Sequence, residues 1–193
     1  SMIDSIVYFP IFATTNIGKM NLRCNMQTNF TIRTARQSDS VELRDLYKNT
    51  VLIINRRDYS QEEVEDWASC GNDLSKIEKM IETHYFIVAV DQQLQIVGFS
   101  SITSQGYLHS MFVHKDFQGK GIATILLKEI ERYAIEQGME RITSEVSLTA
   151  RPFFKRQGYT VEKEQKRQAN KLSLTNFWGQ RNNLRDSIFK GST

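Results

Sequence analysis

The chain has 193 residues, 40% of them hydrophobic and 10% aromatic, which is enough for one well-filled core and excludes intrinsic disorder as a description of the whole. Lys and Arg number 25 against 22 Asp and Glu, a net charge of +3, too small by itself to argue for a nucleic-acid binder. The charge is uneven, however: from Lys163 onward there are seven basic and two acidic residues, so the first 162 residues sum to −2. Two cysteines, Cys24 and Cys70, form no C-x-x-C pair and are too few for a disulfide scaffold. No uncharged apolar run approaches the roughly 18 residues of a membrane span, and Ile3 to Ala13, interrupted by Pro10 and lacking a basic start, makes a poor export signal. The expected setting is a cytoplasmic one.

Residues 1–27 have no helical period and read as an N-terminal extension; the patterned domain is expected over 28–178, with 179–193 as a C-terminal appendage. Phe30 to Arg33 alternates like a strand. Ser38-Asp39-Ser40 then offers caps ahead of Val41, Leu43, Leu46, Tyr47 and Leu52 at helical spacing. Ser60-Gln61-Glu62-Glu63 is a capping box opening a helix through Trp67, and Gly71-Asn72 separates it from another helix over Asp73 to His84. Tyr85 to Val90 and Leu94 to Ile102 flank a turn and predict a hairpin, with Tyr107 to Val113 as a third strand. Ile122, Ala123, Leu126, Leu127, Ile130 and Ala134 form one apolar helical stripe, stopped by Gly138. A strand over Ile142 to Leu148, a short helix from Arg151 begun by Pro152, and strands over Tyr159 to Gln165 and Lys171 to Phe177 complete the pattern.

Between the third strand and the striped helix lies Phe117-Gln118-Gly119-Lys120-Gly121-Ile122-Ala123-Thr124. A strand, a glycine-bearing loop and a helix make an anion site, because the first helical amides have no internal partner and glycines let a phosphate reach them. Gln118 to Ala123 supply consecutive N–H donors and Lys120 a positive charge. A glycine pair is also an ordinary tight turn. A Walker loop does not fit, since no suitably spaced Gly-Lys precedes Ser or Thr, and the Rossmann fingerprint fails at its third glycine, where Thr124 stands.

The segment resembles the acetyl-coenzyme A loop of the GNAT superfamily of N-acetyltransferases, whose [QR]-x-x-G-x-[GA] signature is matched by Gln118, Gly121 and Ala123. Pro152 to Tyr159 is similar to the later family element F-Y-x-x-x-G-F. Asp58-Tyr59-Ser60 with Trp67-Ala68, and Thr149 to Phe154, look most like the YafP-like bacterial branch. The implied fold is α/β (α+β): a mixed, mostly antiparallel sheet of six to seven strands, splayed at the cofactor site and flanked by helices.

The resemblance implies acetyl-CoA as co-substrate, held between Tyr107 to Val113 and Ile142 to Leu148. Its pyrophosphate is expected on the amides of Gln118, Gly119, Lys120, Gly121, Ile122, Ala123 and Thr124, and its pantetheine along Met111 and Val113. An amide near Phe112 or Val113 is expected to face the thioester oxygen, where charge develops. Phe154, expected to contact the cofactor, falls where the family commonly has a tyrosine acid and cannot donate a proton. Ser147, where many members carry asparagine, can still hydrogen-bond cofactor or substrate. His109 is the first candidate for the base, its ordinary pKa of about 6.5 suiting proton removal near neutrality; Tyr107, two residues earlier and on the same face, is the second. His114 should lie on the other face, so no metal site is expected. His84 reads as a helix-end residue. Residues 61–82 carry seven acids and two bases, and part of that surface, with Tyr59 and Trp67, is expected to meet a cationic amine. The expected activity is direct transfer of acetyl to a primary amine of a small molecule or peptide; the alternative is a non-catalytic acyl-CoA-binding module. No nucleic-acid or membrane partner is expected, and a homodimer is plausible by analogy only.

Overall fold

The computed structural model describes residues 29–184; the N-terminal extension, with Cys24, and the chain beyond 184 lie outside them. Five helices and seven strands follow one another in the expected order. The strands are β1 (Thr31–Thr34), β2 (Tyr85–Val90), β3 (Ile96–Ile102), β4 (Tyr107–Val113), β5 (Arg141–Ser147), β6 (Thr160–Gln168) and β7 (Ser173–Asn182). They form one sheet in the order β1-β2-β3-β4-β5-β7-β6, antiparallel throughout except where β4 meets β5. The helices are α1 (Ser40–Ile53), α2 (Gln61–Ser69), α3 (Leu74–Thr83), α4 (Ile122–Glu136) and α5 (Arg151–Arg156).

Local chemistry explains the helix ends. Ser60 Oγ accepts from the Glu63 amide at 3.2 Å while Glu63 returns an acceptor to the Ser60 amide at 2.8 Å, the reciprocal box read from the sequence. Asp73 caps α3 through the Ser75 amide. Asp39 precedes α1 but spends its carboxylate on the Arg36 amide and the Arg33 guanidinium instead.

The core lies on both faces of the sheet. One apolar cluster joins Ile87, Val97, Leu108 and Ile142 to the α4 stripe of Ile122, Leu126, Leu127, Ile130 and Ala134. On the other face, Phe86, Val88, Ile96 and Phe99 pack under α1 and α3 through Leu43, Leu46 and Ile77. Gly98 lets α4 press against β3: a Cβ there would stand 2.9 Å from Ile122 and 3.1 Å from Leu126.

Strands β6 and β7 run further than their sequence pattern suggests. β7 continues through Asn182 and Leu184 is buried, so the packed domain passes the boundary expected at 178. Part of the basic excess is consequently folded in. Arg181 Nη1 lies 2.7 Å from the buried Glu131 carboxylate and 2.8 Å from the Gln157 carbonyl, and the Tyr159 hydroxyl donates to Glu131 at 3.2 Å.

Candidate active site

The feature that makes a site is a parting of strands. β4 and β5 pair only at Tyr107↔Thr143 and Leu108↔Ser144, then diverge. At the same point Leu108 and Ser110 oppose consecutive residues of β3, Ile102 and Ser101, so His109 is the extra residue of a β-bulge. Beyond the parting, β4 needs other partners for its outward-facing backbone. Ser144 Oγ donates to the Leu108 carbonyl at 2.9 Å, and Thr50 Oγ1 and Gln118 Nε2 donate to the Val113 carbonyl at 3.0 and 2.7 Å. Because His114 donates to Val97 on β3, antiparallel alternation gives the Phe112 amide to β3 and turns the N–H groups of Met111 and Val113 toward the gap. Of the two amides expected near the reacting oxygen, only that of Val113 has this direction.

The gap opens into a cleft of about 1470 Å³. At one end Gly119 and Gly121 adopt φ of +74° and +81°, with nothing within 4 Å of where a Cβ would sit. That conformation suits glycine, and the space above the amides stays open. Gly121 is the N-cap of α4 and has no side chain to satisfy the first helical amides, which leaves them to an external acceptor. Gln118, Gly119, Gly121, Ile122, Ala123 and Thr124 all line the cleft. Lys120 does not; its Nζ lies 4.4 Å from the centre of the Phe117 ring. The residues present thus fit the phosphates and extended arm of a coenzyme A thioester.

At the other end, His109, Tyr107 and His84 meet. The His84 and His109 ring centres are 5.2 Å apart and those of Tyr107 and His109 5.9 Å. His109 is exposed on the cleft wall, yet the protein packed around it, with His84 as a second cause, holds its pKa below the ordinary value, against a smaller upward pull from Glu145. Burial likewise lowers that of His84, whose Nδ1 is closed off without a partner. Tyr107 is pushed up to about 12 by burial and by Glu145. It therefore stays protonated and is poorly suited to be a base. His114 caps the following turn by accepting from the Asp116 amide. Among the described residues no three His, Cys, Asp or Glu cluster as metal ligands.

Other expected residues lie here with their groups engaged. Ser147 Oγ accepts from the Ala150 amide at 3.1 Å and lines the cleft. Phe154 is buried against Phe153 and Tyr159. Tyr59 is a structural post: its hydroxyl donates to the Thr175 carbonyl at 2.7 Å and accepts from the Leu148 amide at 2.9 Å. Trp67 packs its ring edge-on against Tyr59 and more distantly against Phe112.

The acidic surface behaves differently from the expectation. Asp66 accepts backbone N–H groups of Asn170, Lys171 and Leu172, tying the β6–β7 turn to α2; Glu63 completes its capping box, and Glu62, Glu63 and Asp66 do not line the cleft. Two contributors were missed in the sequence. The His84–His109 contact joins positions 25 apart, and the bulge leaves no compositional mark.

A seven-stranded sheet that parts beside a bare helix N-terminus defines a class of acyl-CoA-dependent transferases. The profile described as acetyltransferase (GNAT) domain matches residues 55–177, and the chain belongs to that family of acetyl-CoA-dependent N-acetyltransferases. It is 27% identical over 150 residues to the uncharacterized N-acetyltransferase YafP of Escherichia coli (strain K12), covering 78% of this chain and 94% of that one. The fold resembles a GCN5-related N-acetyltransferase from Rhodopseudomonas palustris, with a TM-score of 0.76 at 24% identity over 79% of this chain and 94% of the other. It also resembles the PaiA N-acetyltransferase of Thermoplasma acidophilum in complex with coenzyme A, at 0.67 and 18% over 79% and 98%. Among the described residues no helix is long and apolar enough to cross a membrane.

Proposed function

We propose that the protein transfers acetyl directly from acetyl-CoA to a primary amine of a small molecule or peptide, both substrates being bound together. The observation that carries this reading is His109 at the bulge where β4 leaves β5, in the same cleft as the Gly119–Gly121 loop. His109 accepts the proton that the amine gives up as its nitrogen bonds the acetyl carbon. The Val113 amide meets the oxygen on which charge accumulates. As the carbon–sulfur bond breaks, the proton returns through water to the departing thiolate. This needs no phenol at Phe154, since a thiol of pKa about 8.5 leaves tolerably as its anion. Tyr107 remains a hydrogen-bond donor beside the base. Cytoplasmic residence accords with this chemistry and its cofactor.

The test is thiol release from acetyl-CoA with a panel of primary amines. His109→Gln is expected to lower kcat by about 100-fold or more while coenzyme A still binds. Coenzyme A binding without turnover on any amine in the unaltered protein would favour the non-catalytic module, for which the buried Phe154 is the specific support.

A further inference from the structure

The charges that face the cleft are the reverse of those on the helices around it. Glu145 is the single acid in its lining, against Arg57, Lys76, Lys79, Arg156 and Arg167. Glu145 is already paired with Arg167 at 2.7 Å. None of the ion pairs among the described residues involves Arg57, Lys76 or Lys79. Five of the seven acids in residues 61–82 are turned to structural work: Asp66 on the β6–β7 turn, Glu63 and Asp73 on caps, Glu65 on Gln61 and Glu82 on Gln37; Glu62 and Glu78 do not line the cleft. Lys76 and Lys79 stand on α3, the helix whose C-cap is His84, beside His109. Along that helix they precede its last residue, Thr83, by seven and four positions, about 10 and 6 Å at 1.5 Å per residue.

We propose that Lys76 and Lys79 bind an anionic group of the acceptor, so that the substrate is an amine that also carries a carboxylate. An amino acid or a short acidic peptide has this chemistry: its amine reaches His109 while its carboxylate lies among the lysines. A cationic polyamine has the opposite sign for this rim. The proposal rests on the acetyl-transfer reading for the place of the amine, but the anion site is a property of the cleft itself.

The experiment separates the two. Amino acids of increasing amine-to-carboxylate spacing are each compared with their own carboxamide. Both turnover and equilibrium binding to the protein–coenzyme A complex are measured, the latter by the fluorescence of Trp67 and Trp178, which line the cleft. Acids are expected to exceed their amides by about tenfold or more in kcat/KM and in affinity for at least one spacing. The advantage should shrink with rising salt, and the acid-to-amide ratio should fall toward one in the Lys76→Gln, Lys79→Gln double variant. Charge-dependent binding without acetylation would sink the transfer reading and leave the anion site standing. Equal treatment of acids and amides, or a double variant that keeps the ratio and raises only the KM for acetyl-CoA, would overturn the proposal.

Discussion

His109 owes its usefulness to its neighbours. The lowered pKa keeps the ring neutral at physiological pH, the form able to accept a proton. Activity is therefore expected to be full near neutrality and to fall, with unit slope in log kcat/KM, only as pH drops through a value below the ordinary 6.5. His84 is one cause of that lowering, because two adjacent imidazolium ions repel. Replacing it, His84→Gln, should move the acid limb upward toward 6.5. A limb that stays in place in this variant would assign the lowering to burial alone. Sequence reading could name His109, since the residue type and the strand were visible; it could not supply His84, which meets the ring from the junction of α3 and β2.

At the scale of elements, the site depends on side chains that replace missing strand pairing. Tyr59 shows this most clearly: one hydroxyl satisfies the Leu148 amide just past β5 and the Thr175 carbonyl of β7, from a loop between α1 and α2. Burial pushes its pKa up to about 12, so it remains both donor and acceptor at neutral pH. Tyr59→Phe keeps the ring and strands two half-buried backbone groups. It is expected to cost about 1–3 kcal/mol in urea unfolding and to raise the acceptor KM as the cleft wall loosens. An unchanged unfolding midpoint would show that water replaces both bonds. The capping box of α2 and the order of the strands were legible because they depend on neighbours in sequence. The bulge at His109, the long β6 and β7, and the role of Asp66 as anchor of a turn over 100 positions away were not, since each depends on a partner strand or loop.

For the whole molecule, the charge reading changes most. The C-terminal basic excess looked like an appendage, yet Arg181 serves the buried Glu131 and Arg167 pairs with Glu145. Burial raises the Glu131 pKa, with Arg181 and Tyr159 opposing the rise. Arg181→Ala, by leaving that carboxylate unpaired, is expected to lower stability by about 3 kcal/mol. An Arg181→Met, Glu131→Gln double variant should recover much of the loss, as measured by thermal unfolding; no recovery would place the cost in lost packing against Tyr159.

The sequence by itself determined the family, the order of elements and the glycine loop ahead of α4, because strand alternation, helix stripes and the Gln118 to Ala123 signature are local patterns. Tertiary structure alone decided which charges line the cleft, which histidine accompanies His109, and which amide points into the gap. Those properties depend on the direction of side chains and of backbone N–H groups, and direction is set by packing and strand register between residues far apart in the chain.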